Sequence, residues 1–162
     1  MRLLVLVFAL LGATTVTAHA APSACGVKTA RAAISSTHLR MKLLGPDAVR
    51  VDPNSADQVI CFDFTRDGRL DLAVTIASGG TAGDIGFVVF RGTTTGWRVA
   101  LTQDGYKLGL FRVGGDVVSS QPVYRKNDPN CCPTGGFDHT RYHWNGARLV
   151  VARAWHTKSF RP

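Results

Sequence analysis

Short apolar segments separated by polar turns fill the chain from Val59 onward. Glycine, aspartate and asparagine mark reversals at roughly ten-residue spacing, which is typical of an antiparallel meander. Within one segment Trp97, Val99 and Leu101 share a face, as alternation along a strand requires. Asn145-Gly146 is the strongest hairpin signal, because a type I′ turn needs positive φ at both central residues. The predicted strands are Val59–Phe64, Leu70–Ala77, Phe87–Arg91, Trp97–Thr102, Lys107–Val113, Val117–Tyr124, His139–Trp144 and Arg148–Trp155.

A helical pattern precedes these segments. Between residue 25 and about Leu44, the apolar residues Val27, Ala30 and Ile34 recur at a spacing that places them on one stripe of a helix. The sequence Gly45-Pro46-Asp47 is expected to end this helix. We therefore predict an α+β fold that is mainly β: one curled antiparallel meander sheet with an N-terminal helix packed on it.

The first residues of the chain have the layout of an export signal. Met1-Arg2 is a basic start, residues 3–11 are an uninterrupted apolar run, and Ala18-His19-Ala20 is a small-x-small cleavage pattern. The apolar run is shorter than the ~20 residues of a spanning helix, and no later stretch reaches that length. We expect a signal peptide at residues 1–20 and one secreted, monomeric β-rich domain at residues 21–162, with no transmembrane segment.

The chain contains four cysteines: Cys25, Cys61, Cys131 and Cys132. In an exported chain an even number favours disulfides over a metal site or a nucleophile. Two arrangements are possible. In the first, Cys25 bonds Cys61, and Cys131 and Cys132 either form a strained vicinal bond or stay reduced. In the second, Cys131 and Cys132 each bond one of the two distant cysteines. We favour the first arrangement. Lipid attachment at Cys25 is an alternative, but Pro22 stands where a lipidation signal has an aliphatic residue.

Positive charge dominates the composition. The formal net charge is +8, from 19 Lys and Arg against 11 acidic residues, all of which are Asp. The cationic residues are scattered and form no stripe, so nucleic-acid binding is not expected. An anionic envelope polymer is a plausible partner, because a long-range field attracts it, and a protein is the other candidate. The alternative is that the charge only keeps the protein soluble.

The segment from Asp63 to Asp71 places carboxylates at Asp63, Asp67 and Asp71. It resembles the Asp-rich loop of FG-GAP/VCBS repeats, and the resemblance implies that these three residues bind calcium. The positions of the charges also favour a bound cation. A hairpin centred on Asp67 sets Asp63 opposite Asp71, where like charges repel, so a cation is expected between them. That cation is either calcium or an arginine of the same loop, Arg66 or Arg69. No other cofactor is expected.

A second feature is the segment 124–136, hereafter the Cys–Cys loop, with Cys131-Cys132-Pro133 near its end. It is followed by an aromatic segment that ends in Trp144-Asn145-Gly146. This combination resembles the C-terminal part of the actinobacterial LppP/LprE-type envelope lipoproteins and related secreted proteins. The resemblance implies an extracytoplasmic role and no established reaction.

The Cys–Cys loop is long and polar for a connection between strands. Its prolines stiffen it, and a disulfide would pin it. Loops longer than ~12 residues in compact domains are usually functional or disordered, and pinning argues against disorder. We therefore take Tyr124, Arg125, Lys126 and Asp128 as candidate residues for binding an anionic or sugar ligand. The alternative is a strapped connection between two strands.

These features favour a secreted or envelope-associated, non-catalytic binding module. One alternative is an inhibitor that presents the Cys–Cys loop to another protein. A second is a hydrolase that uses His139 or His143 together with an acid or a nucleophile. These two histidines lie ~13 Å apart along a strand, too far to share a zinc ion alone. The glycine-rich segment 79–84 lacks the ending of a phosphate loop, so nucleotide chemistry is not expected.

Overall fold

A computed structural model describes residues 25–162. The predicted signal peptide at residues 1–20 lies outside the described residues. The described part contains one α-helix, one short 3-10 helix and ten strands. In chain order these are α1 (Val27–Ser36), β1 (Arg40–Met41), β2 (Val49–Arg50), the 3-10 helix (Pro53–Ser55), β3 (Ala56–Phe62), β4 (Asp71–Ala77), β5 (Asp84–Thr93), β6 (Gly96–Asp104), β7 (Gly109–Val113), β8 (Asp116–Pro122), β9 (Phe137–Trp144) and β10 (Leu149–Thr157).

The strands form three antiparallel sheets. The first sheet contains four strands in the order β3-β4-β5-β6, the second sheet contains four in the order β10-β9-β8-β7, and β1 pairs with β2. The prediction of a mainly β, antiparallel fold with one helix is confirmed. The prediction of a single curled sheet is wrong, because the meander breaks after β6. Stacking two short sheets buries an apolar face of each, which one open sheet would leave in water.

One core cluster lies between the first and second sheets. Phe87 of β5 packs edge to face on Tyr142 of β9, with ring centroids 5.6 Å apart. Burial of large apolar side chains such as these is the main favourable term that holds the two sheets together. The buried residues of this cluster are Phe64, Ala73, Phe87, Val89, Leu108, Leu110, Val117, Tyr142 and Leu149.

A second core cluster lies on the opposite face of the first sheet, where α1 packs. Ala30, Ala33 and Ile34 of α1 are buried in the same cluster as Val88 and Phe90 of β5. The disulfide between Cys25 and Cys61, whose Cα atoms are 5.9 Å apart, ties the start of the helix to β3. The predicted pairing of these two cysteines is therefore confirmed.

Helix α1 is shorter than the predicted helix, which extended to Leu44. The Thr37 hydroxyl donates to the Ala33 carbonyl at 2.8 Å, and His38 has a positive φ of 50° that turns the chain away from the helix axis. The next residues form the hairpin of β1 and β2. Gly45-Pro46-Asp47 therefore lies in the connection of that hairpin, and not at a helix end.

The predicted reversal at Asn145-Gly146 is confirmed, since β9 and β10 pair across it. The Asn145 side-chain oxygen accepts the backbone N–H groups of Ala147 and Arg148, both at 3.0 Å. Gly146 has a positive φ of 98°, whereas Asn145 does not have a positive φ. The turn is therefore wider than a two-residue type I′ turn and is held by the asparagine side chain.

Removing the Cys25–Cys61 bond should lower the free energy of unfolding by about 3–4 kcal/mol, because the bond joins residues 36 apart in sequence. The measurement is urea unfolding of a Cys25→Ser/Cys61→Ser variant. A Cys131→Ser/Cys132→Ser variant is the control. A bond between neighbours closes almost no chain, so this control should lose less than ~1 kcal/mol. Equal losses in the two variants would contradict the entropic account.

Candidate functional site

The Cys–Cys loop leaves β8 and enters β9 through a closed base. The backbone N–H of Val123 donates to the Gly136 carbonyl at 2.9 Å, and that of Gly135 donates to the Val123 carbonyl at 3.0 Å. Cys131 and Cys132 form a vicinal disulfide, which is one of the two states that the favoured arrangement left open for this pair. The loop is thus fixed at its base and locally stiffened near its C-terminal end.

Asp128 organises the backbone inside the Cys–Cys loop. Its carboxylate accepts the backbone N–H groups of Arg125 and Thr134, each at 2.7 Å, and the Thr134 hydroxyl at 2.7 Å. Hydrogen bonds from the backbone of Arg125 and then of Thr134 hold the pKa of Asp128 below its ordinary value. Asp128 therefore contributes to this surface by fixing the shape of the loop, with its oxygens turned towards the loop's own donors.

An aromatic and lysine cluster anchors the middle of the loop. The Tyr124 hydroxyl donates to the Asn130 carbonyl at 2.8 Å, the Lys107 ammonium donates to the same carbonyl, and the Tyr106 hydroxyl donates to the Asn130 side-chain oxygen. The rings of Tyr106 and Tyr124 meet edge to face at 5.7 Å, and the Lys107 ammonium lies 5.6 and 5.9 Å from their centroids. The sequence pointed to Tyr124 but missed Tyr106 and Lys107.

Arg125 and Lys126 remain on the surface of the Cys–Cys loop. Both side chains are exposed, and neither forms a salt bridge with a carboxylate in the described part of the chain. The vicinal disulfide of Cys131 and Cys132 in the same loop is exposed as well. The four candidate residues thus divide into two that hold the loop backbone, Tyr124 and Asp128, and two that are exposed, Arg125 and Lys126.

The outer two carboxylates of the Asp-rich loop bind its own backbone. Asp63 accepts the N–H groups of Asp67 at 3.0 Å and Gly68 at 2.8 Å. Asp71 is fully buried and accepts the N–H groups of Thr65 at 2.8 Å and Gly92 at 2.9 Å. Burial raises the pKa of Asp71, although these two hydrogen bonds oppose the shift. Asp71 thereby links the loop to β5.

Asp67 faces two arginines. Its Oδ2 accepts from Arg91 Nε at 3.1 Å and Nη2 at 2.8 Å, and it lies 3.4 Å from Arg69 Nη1. Burial opposes ionisation of Asp67, but hydrogen bonds from Arg91 and Arg69 outweigh it and hold the pKa below its ordinary value. Among residues 25–162, no group of three or more His, Cys, Asp or Glu residues could hold a metal ion. The predicted cation between Asp63 and Asp71 is therefore not seen as a loop arginine: Arg69 and, more closely, Arg91 of β5 contact Asp67 instead. Calcium binding by the three carboxylates stays a prediction.

A second buried carboxylate, Asp116, lies at the start of β8 on the outer face of the second sheet. Arg141 Nε donates to it at 2.6 Å, and His143 Nδ1 donates at 2.8 Å. Burial opposes ionisation, but the hydrogen bonds from His143 and Arg141 outweigh it and hold the pKa of Asp116 below its ordinary value. In the described residues no hydroxyl or thiol is hydrogen-bonded to His143, whose hydrogen-bond partner there is Asp116.

His139, the other histidine considered for hydrolysis, is buried in the second sheet. Its Nε2 lies 2.8 Å from the Thr157 hydroxyl, and its ring stacks on Trp155 with centroids 5.1 Å apart. Burial lowers the pKa of His139, so its ring is neutral near pH 7. These contacts give His139 a packing role, separate from the carboxylate that His143 reaches.

Comparison of the chain with protein-family models, with curated proteins and with solved structures found no match. Within residues 25–162, no helix combines the length and the apolar composition needed to cross a membrane. Function must therefore be argued from the geometry and charge of the sites themselves.

Millimolar calcium should leave the unfolding temperature unchanged to within about 1 °C, because the oxygens of Asp63, Asp67 and Asp71 already accept from backbone amides and arginines. The measurement is thermal unfolding in calcium, in magnesium and in chelator. A stabilisation by calcium that magnesium does not reproduce would restore the calcium site that the FG-GAP/VCBS resemblance implies.

Asp116→Asn should lower the free energy of unfolding at pH 7 by about 2 kcal/mol, because the Arg141 guanidinium and the His143 ring lose the ionised, buried acceptor to which both donate. The folded-state pKa lies below the ordinary value of 3.8. The contribution of Asp116 is therefore present above that value and is lost as the pH falls through the folded-state pKa. Urea unfolding between pH 7 and pH 3 tests this.

The matched control is Asp138→Asn, which removes an exposed carboxylate whose partner is His156. It should cost less than ~1 kcal/mol at pH 7. If the free energy of unfolding of the wild type exceeds that of Asp116→Asn by the same amount at pH 3 as at pH 7, the effect comes from packing and not from charge.

Proposed function

We propose that this chain is an exported, non-catalytic binding module that meets an anionic ligand through the Cys–Cys loop. The observation that carries the proposal is the contrast between a fixed loop backbone and two free cations. Asp128 and Asn130 are held by internal hydrogen bonds, whereas Arg125 and Lys126 are exposed and form no salt bridge within residues 25–162. A loop held in this way by a rigid scaffold is the usual form of a binding loop.

Preorganisation supports binding over a merely structural role. A flexible loop loses conformational entropy when it binds, typically ~0.5–1.5 kcal/mol per immobilised side chain. In this loop the contacts from Tyr106 and Lys107 to Asn130 have already ordered the backbone. A connection that served only to join β8 and β9 would not need these long-range anchors, because two to five residues suffice for a hairpin.

The charge of the molecule supports an anionic ligand. The net charge of +8 attracts anions over a distance, and the two unpaired cations of the loop give that attraction a contact point. An anionic polymer of the cell envelope fits both the charge and the export that the N-terminal residues predict. The Cys25–Cys61 disulfide agrees with an oxidising compartment, and so does the resemblance to envelope lipoproteins.

Arg125→Gln/Lys126→Gln should weaken binding to poly(glycerol phosphate) by roughly 5- to 10-fold, since two exposed ion pairs contribute ~0.5–0.7 kcal/mol each. The control is Lys28→Gln/Arg31→Gln on α1, which removes the same charge from another exposed surface. It should weaken binding less than ~2-fold, because only the long-range field changes. Titration calorimetry at low and physiological salt measures both.

Neutral dextran should not bind any of these proteins. Equal weakening in the loop variant and the helix variant would show that the polymer responds to net charge alone, and the loop would lose its assignment. If poly(glycerol phosphate) does not bind at all, while a pull-down from culture supernatant recovers one protein that the loop variant fails to recover, the inhibitor or partner-binding alternative replaces the polymer.

A further inference from the structure

We propose that a second site, the arginine cleft, binds a compact oxyanion such as a phosphate or sulfate group. The cleft is lined by Arg69, Arg91, Arg98 and the tip of the β5–β6 hairpin, Thr93–Thr95. It lies at the start of β6, whereas the Cys–Cys loop contacts Tyr106 and Lys107 just beyond the end of that strand. Most of β6 lies between the two sites, which corresponds to about 20 Å at ~3.3 Å per residue. We therefore treat the two sites as independent.

The strand register brings two arginines face to face. Arg91 of β5 and Arg98 of β6 are direct cross-strand partners, so their side chains leave the same face of the first sheet. Like charges directly opposite each other on neighbouring strands destabilise a sheet. Arg69 adds a third guanidinium to the same cleft. An arrangement of this kind is stabilised when an anion enters it.

The cleft's own carboxylate does not balance these charges. Asp67 is the single acidic residue among the lining residues, and it faces three arginines, which leaves a net charge of +2. Asp67 pairs with Arg91 and Arg69. Arg98 is exposed and forms no salt bridge or hydrogen bond in the described part of the chain. An added anion therefore meets one wholly free guanidinium and two that Asp67 holds in position.

The remaining donors suit an oxyanion. Arg91 uses Nε and Nη2 on Asp67, so its Nη1 remains for another acceptor. Its guanidinium also lies 5.4 Å from the centroid of the Trp144 ring, which limits its motion. The side chains of Arg69 and Arg91 are 39% and 40% exposed, and so a solute can reach them. Planar guanidinium groups bind phosphate, sulfate and carboxylate oxygens with paired hydrogen bonds.

The volume and the hydroxyl groups of the cleft narrow the ligand class. The cleft has a volume of about 260 Å³. One tetrahedral anion with a few waters fits such a space. Thr94 at the hairpin tip is exposed and makes no other hydrogen bond among the described residues, so its hydroxyl can donate to an anion oxygen. The group is either a free anion or a phosphate carried by a polymer.

The test compares inorganic phosphate and sulfate with chloride at matched ionic strength, by titration calorimetry on the mature protein. Phosphate or sulfate should give a saturable heat that chloride does not give. Arg98→Gln should weaken this binding about 10-fold, and Arg31→Gln on α1, an exposed arginine with the same charge change, should leave it within ~2-fold. Since Arg98 has no internal partner, the variant should remain folded, and circular dichroism checks this.

Three outcomes would overturn the proposal: no difference between phosphate, sulfate and chloride; equal effects of Arg98→Gln and Arg31→Gln; or an Arg98→Gln protein that binds as the wild type does.

Poly(glycerol phosphate) distinguishes the two sources of the anion. If Arg98→Gln weakens the polymer and inorganic phosphate alike, the cleft accepts a carried phosphate; if it weakens inorganic phosphate alone, it accepts a free anion. Arg125→Gln/Lys126→Gln should leave the binding of inorganic phosphate unchanged. The proposal for the arginine cleft and the proposal for the Cys–Cys loop can therefore fail independently of each other.

Discussion

The constraint on which the rest of the structure depends is the burial of β4 and β5 on both faces. Ala73 and Val89 point into the core between the two sheets, while Val74 and Val88 point into the core beneath α1. Strands that are covered on both sides are mostly apolar along their middle. The charged side chains of these two strands, Asp71, Asp84 and Arg91, therefore lie near the strand ends, whereas the polar Thr75 within β4 is buried and accepts the backbone N–H of Gln58.

Asp71 shows how an end of these strands is used. It opens β4, directly beside the last residues of β5, because the two strands run antiparallel. Its buried carboxylate joins the N–H groups of Thr65 and Gly92, so the Asp-rich loop is attached to the rim of the sheet. That attachment places Asp67 within reach of Arg91. The geometry of the arginine cleft thus follows from a structural carboxylate.

Alternation and turn residues predict local structure well here, because each strand carries its own periodicity. Arrangements that depend on tertiary register could not be predicted. A β-bulge between Val89 and Phe90 sets Arg91 opposite Arg98, and no feature of the sequence marks it. The anchoring of Asn130 by Tyr106 likewise joins residues 24 apart in sequence. The division into two sheets is missed for the same reason, since the pattern of a meander is identical in one sheet or two.

All acidic residues of this protein are aspartates, and their short side chains affect which charges are paired in the described part of the chain. Aspartate is short enough to bind the backbone of its own loop. Five aspartates of the described chain do so: Asp52, Asp63, Asp67, Asp71 and Asp128. Carboxylates committed to the backbone cannot screen distant lysines and arginines. Among the lysines and arginines of residues 25–162, only Arg69, Arg91 and Arg141 form a salt bridge with a carboxylate; the other two carboxylate pairs involve histidines. The acidic residues therefore shape the loops and leave much of the positive field unscreened, which is the property that the proposed binding of an anion would use.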